Sequence, residues 1–122
     1  MKRALLFAST LLLAATLPTI ALANCSTTNM AGVWRLLVLG DDGMDFCLMT
    51  LSAAGKATGT CLVDGAFGGA LNLNTACKIT GKIDGKALTG RTEVIAANSP
   101  LKPNLMSVYI PNGHAYVQGF RN

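Results

Sequence analysis

The sequence predicts an all-β protein: an antiparallel up-and-down meander of seven or eight strands, closed or nearly closed into a small barrel. Three observations predict it. Short runs of alternating apolar and polar residues recur along the chain; turn dipeptides, above all Asp84-Gly85 and Asn112-Gly113, punctuate them; and no stretch keeps a helical period between caps. A period of two sends alternate side chains to opposite faces, so such runs suit strands with one face on a core.

The 122-residue chain opens with Met1-Lys2-Arg3, an apolar run from Ala4 to Leu17, and Ala21-Leu22-Ala23. A basic start, an apolar centre and a small-x-small ending are the parts of a cleavable export signal. Residues 1–23 are therefore read as a leader, with the working chain starting at Asn24. A retained membrane helix is the first alternative, but it needs about 20 apolar residues, and Ser9, Thr10, Thr16, Pro18 and Thr19 interrupt this run. A lipid on Cys25 is the second. Asn24 stands where a lipoprotein signal places a small residue.

Residues 24–122 fit one domain, with no repeat or linker, exported to a periplasmic or extracellular space. The formal charge is +4, of which Lys2 and Arg3 supply two, leaving +2 after the leader. Basic and acidic residues are interspersed, so no dense basic surface supports nucleic-acid binding. A domain of about 100 residues buries only around two thirds of its unfolded surface, and covalent staples would help it. Cys25, Cys47, Cys61 and Cys77 contain no C-x-x-C pair and have one histidine, His114, for company. In an exported chain that favours two disulfides over a metal site.

Val33 to Leu39 reads as a largely buried first strand. Gly40-Asp41-Asp42-Gly43 is turn chemistry, although Asp41, Asp42 and Asp45 would also suit Ca²⁺ or acid–base work; the EF-hand spacing is missing. Asp45 to Ser52 and Lys56 to Val63 form a hairpin around Ala53-Ala54-Gly55. Pairing Ser52 with Lys56 sets Cys47 opposite Cys61, and directly opposed antiparallel positions can fall within disulfide reach where they form a non-hydrogen-bonded pair. Four cysteines allow three connectivities; this register favours Cys47–Cys61, leaving Cys25 with Cys77.

Asp64 to Thr75, rich in Gly, Ala and Asn, resists assignment: an open loop with a short strand near Ala70 to Leu73. Cys77 to Ile83 alternates cleanly, with Cys77, Ile79 and Ile83 on one face. Asp84-Gly85 supplies the two positive-φ positions of a type I′ turn, and Lys86 to Val94 returns with Ile83 facing Lys86, Gly81 facing Leu88 and Ile79 facing Gly90. Glycines 81 and 90 permit the close backbone approach of a curved sheet, or simply adjoin a turn. Ala96 to Asn104, with Pro100 and Pro103, is a loop. Leu105 to Ile110 and Ala115 to Phe120 make the last hairpin, with Asn112-Gly113 as its turn and Tyr109 opposite Tyr116.

Chemistry-bearing patterns are few. No G-x-S-x-G elbow occurs, His114 lies beside a turn, and Gly65, Gly68 and Gly69 lack the spacing of a phosphate loop. The sequence thus points to no enzyme, no catalytic residue, no cofactor and no metal.

Gly32-Val33-Trp34 at the first strand and Phe120-Arg121 at the last resemble the small secreted barrels of the lipocalin and avidin kind. In lipocalins a G-x-W indole packs under a basic residue from the final strand and closes one barrel end. The resemblance gives Gly32, Trp34 and Arg121 that closing role. Ala31 to Leu36 followed by Phe46 to Leu51 is similar to the opening strands of bacterial periplasmic metalloprotease inhibitors, eight-stranded barrels with one disulfide. That likeness covers the first third of the working chain and departs afterwards; this chain carries four cysteines. Two functions are expected from these readings: a non-enzymatic binding module for a small apolar ligand or a protein partner, or an inhibitor of a secreted protease. Interior candidates for ligand contact are Trp34, Leu36, Met49, Val63 and Leu88, which in an eight-stranded barrel also serve simply as core.

Overall fold

Eight strands form: β1 (Gly32–Gly40), β2 (Gly43–Leu51), β3 (Lys56–Cys61), β4 (Gly65–Leu73), β5 (Lys78–Ile83), β6 (Lys86–Glu93), β7 (Leu105–Ile110) and β8 (Ala115–Phe120). They pair antiparallel in chain order, and β8 returns to β1 to close the barrel. The computed structural model describes residues 25–93 and 102–121. The predicted leader and most of the Ala96 to Asn104 loop lie outside those residues. A 3-10 turn, Thr28–Met30, precedes β1.

Local chemistry sets each reversal. Asp84 and Gly85 both take positive φ, 49° and 79°, so the two-residue turn between β5 and β6 matches the strand twist. Its register is the predicted one: Ile83 with Lys86, Gly81 with Leu88, Ile79 with Gly90. Between β3 and β4 three residues intervene, and Gly65 at φ 78° supplies the left-handed step. The β7–β8 reversal differs from expectation. Pro111 starts a short 3-10 turn through Gly113, so the left-handed position moves on to His114, whose N–H donates to the Pro111 carbonyl at 3.1 Å. Tyr109 still faces Tyr116, with ring centroids 4.6 Å apart.

β4 is the strand the sequence conceals. It runs nine residues, from Gly65 to Leu73, where only a short piece near Ala70 to Leu73 was expected. Gly, Ala and Asn have weak strand preference, but both neighbours offer full ladders, and pairing with β3 and β5 decides the outcome.

Both disulfides follow the predicted pairing. Cys47 opposes Cys61 across β2 and β3, and Cys25 joins Cys77. No cysteine is left free. The inward faces supply a core that includes Trp34, Met49, Leu51, Ile79 and Met106. At inward positions 81 and 90 an added Cβ would collide with the carbonyl oxygens of Ala70 and Ser107, so the close approach expected of these glycines is real.

Candidate functional site

The barrel has two unlike ends. At one, β1–β2, β3–β4, β5–β6 and β7–β8 reverse through short turns; at the other lie the 3-10 turn, the β2–β3 and β4–β5 connections and the ends of β6 and β8. The second end is sealed. Trp34 is fully buried there, and its indole N–H donates to the Met30 carbonyl at 2.8 Å, tying the 3-10 turn over the strands. Arg121 covers the ring from the end of β8, its guanidinium carbon 5.0 Å from the ring centroid. The same guanidinium donates to the carbonyls of Ala31, at 2.7 Å, and Pro103. Gly32 leaves the room that Arg121 needs, since an added Cβ would stand 3.3 Å from the arginine Cδ. Gly32, Trp34 and Arg121 thus meet at one place. The Cys25–Cys77 bond fastens the incoming chain beside them, and the Thr92 hydroxyl donates to Cys25 Sγ at 3.7 Å.

The half of the barrel nearer the short turns holds a cavity of about 220 Å³. Leu36, Met49, Phe67, Leu71, Leu88, Met106, Val108 and Val117 line it, together with the Cys47–Cys61 bridge. Asp64, Asp84, Lys86 and Gly113 edge its opening. Asp84 Oδ1 accepts the Gly68 N–H at 3.1 Å, which fixes that carboxylate against the β4 strand. The arrangement is a largely apolar pocket with a few polar groups at its mouth, a combination that can hold an apolar body and orient a polar end.

Asp45 is the buried acid of this region, and its work is structural. Its inward position follows from the parity of Cys47, Met49 and Leu51 on β2. Oδ1 accepts the N–H groups of Phe46 at 2.8 Å and Val63 at 3.0 Å, and Oδ2 accepts that of Asp64 at 3.0 Å. Removal from water pushes its pKa up, but hydrogen bonds from the Val63, Asp64, Phe46 and Leu62 amides outweigh this and hold it below the ordinary aspartate value. The carboxylate therefore closes the β3–β4 turn, so the suggested Asp41, Asp42 and Asp45 grouping does not work as one site. Asp45 also lies near Cys47 and Cys61, with ligand atoms within 4.8 Å. Both sulfurs are spent on the disulfide and the carboxylate on amides.

Of the five interior candidates, Leu36, Met49 and Leu88 line the cavity. Trp34 is interior but belongs to the sealed end. Val63 requires correction: it is 75% exposed. Extending the β3 alternation from Cys61 would turn it inward, but the strand ends at Cys61 and the turn carries Val63 into solvent. Phe67, Leu71, Met106, Val108 and Val117 were missed; an alternating Phe67-x-Gly69-x-Leu71-x-Leu73 was the available signal for the first two. His114 Nδ1 stands 3.9 Å from Asp41 Oδ2, both side chains about 70% exposed or more. Such a pair is solvated surface. Among the described residues, no helix is long and apolar enough to cross a membrane. Comparison with protein-family models, with curated proteins and with solved structures found no significant match.

Proposed function

We propose that the protein is an exported, non-enzymatic binding module that takes a small apolar ligand into the open half of its barrel. The observation that carries this reading is the apolar cavity of about 220 Å³ beneath a polar rim, in a barrel whose other end is plugged by Trp34 and Arg121. That volume is below the roughly 300–1,000 Å³ of drug-sized pockets. The ligand is accordingly a short acyl chain or a single ring, with its polar end toward Asp64, Asp84 and Lys86. Two disulfides suit an oxidising compartment, in keeping with the leader-like first 23 residues. Inhibition of a secreted protease has less support. In the inhibitor family the chain start runs free into the protease cleft, whereas Cys25 is bonded to Cys77 at the sealed end.

Displacement of a fluorescent apolar probe by short fatty acids, aliphatic amines and monocyclic aromatics tests the reading. Binding that Val117→Phe abolishes, with the melting temperature retained, is the expected result. Loss of the proposal follows if none of these compounds binds at millimolar concentration, or if binding ignores the filled cavity. Activity of a panel of secreted metallo- and serine proteases in the presence of the protein tests the inhibitor alternative.

A further inference from the structure

The outward-facing residues divide the barrel wall into two unlike halves. On β8, β1 and β2 the positions facing solvent carry Tyr116, Phe120, Leu39, Met44, Phe46 and Leu48, each about half exposed. They adjoin one another: Leu39 pairs with Met44 on one side and Tyr116 on the other, and Arg35 stands between Leu48 and Phe120. On β3, β5 and β6 the outward positions carry Lys56, Lys78, Lys82 and Arg91 with threonines between them. The apolar half exposes on the order of 600 Å², at the upper end of what monomers leave uncovered and near the roughly 800 Å² that each partner buries in a standard interface.

Charge is divided in a second direction, along the barrel axis. Every aspartate of the chain, 41, 42, 45, 64 and 84, stands at the open end, whereas Arg35, Lys56, Lys78, Arg91 and Lys102 lie toward the sealed end; Lys82 and Lys86 beside the β5–β6 turn and Glu93 at the end of β6 reduce this division without reversing it. Two such barrels laid wall to wall in the same direction would set like charges together; laid in opposite directions they set acidic end against basic end. A two-fold axis produces the second arrangement and makes each surface its own complement. With that axis crossing β1 between Leu37 and Leu39, Arg35 of each copy comes opposite Asp41 of the other, because both lie three positions from the axis. An anionic lipid surface is the poorer occupant, since the wall that would meet it carries one cation and the lysines face the opposite way.

We propose that the β8–β1–β2 wall is the interface of an antiparallel homodimer, with Phe46, Leu48 and Leu39 at its apolar centre and Arg35–Asp41 pairs on either side. Sedimentation velocity of the exported protein, up to about 100 µM in low salt, should show a reversible dimer. Phe46→Glu should weaken it at least tenfold while leaving the circular dichroism spectrum unchanged, and Leu48→Thr, a strand-compatible change, serves if that variant misfolds. Asp41→Arg should weaken it by placing like charges together, and the exchange Arg35→Asp with Asp41→Arg should restore most of the loss. A protein that stays monomeric throughout, or a dimer indifferent to both apolar substitutions, overturns the proposal. So does a monomer that floats with phosphatidylcholine or phosphatidylglycerol vesicles and loses that binding with Phe46→Glu, which would give the wall to lipid.

Discussion

The guanidinium of Arg121 lies over the indole of Trp34, 5.0 Å from its centroid, and bridges the carbonyls of Ala31 and Pro103. One side chain thereby holds the 3-10 segment, the β6–β7 connection and the end of β8 in a single plug. Arg121→Ala removes the cation–π contact and leaves the two carbonyls to find water, at a cost of about 2–3 kcal/mol. Arg121→Lys keeps the charge but cannot bridge both carbonyls, and should recover less than half of that loss. Urea titrations of the three proteins measure this.

The two disulfides should not contribute equally. Cys25–Cys77 closes a separation of 52 residues and Cys47–Cys61 one of 14. Chain-entropy arguments then give about 4 kcal/mol for the first and about 3 for the second. Replacing each pair by serine and comparing unfolding free energies checks the order. Thiol titration of the native protein should find no reactive sulfhydryl.

Asp45 makes stability depend on acid. Its folded pKa is held below the unfolded value, so its contribution is fully present above the unfolded pKa, at about pH 4, and disappears as pH falls through the folded one. Asp45→Asn should be less stable than the native protein at pH 7, and the gap should narrow steadily below about pH 4. A gap that is constant with pH would mean that the carboxylate charge contributes nothing to the β3–β4 turn.

His114 holds a left-handed conformation, φ 49° and ψ 44°, for which glycine is better suited. Since its contact with Asp41 is exposed and long, His114→Gly should be neutral or stabilising by up to about 1 kcal/mol. By contrast, Gly81→Ala forces a Cβ against the Ala70 carbonyl, where only backbone movement can relieve it. A loss of about 2 kcal/mol or more is expected, read from thermal melts.

Where sequence and structure agree, a local rule and the tertiary context favoured the same answer. The Asp84-Gly85 turn fixed a register to the residue, and the spacing of Cys47 and Cys61 around Ala53-Ala54-Gly55 did the same for β2 and β3. β4 was hidden because its ladder comes from neighbours while its own residues are poor strand formers. Val63 was misplaced because alternation tells which face a strand residue takes but not where the strand stops. The cavity was legible in part for the same reason: Leu36, Met49 and Leu88 sit on strands that alternate plainly, whereas Phe67 and Leu71 fall on the concealed β4, and Met106, Val108 and Val117 sit on the expected last hairpin, whose inward face was not carried into the site. Asp45 was assigned to a turn cluster although its parity with Cys47 already placed it inside.

Because β8 hydrogen-bonds to β1, the ladder has neither a first nor a last member. An extended peptide therefore finds no bare row of amides on which to lengthen the sheet, and fibril growth by strand addition has no template in the folded molecule. However concentrated, folded copies of the barrel meet through their side chains; templated polymerisation would first require the ring to break.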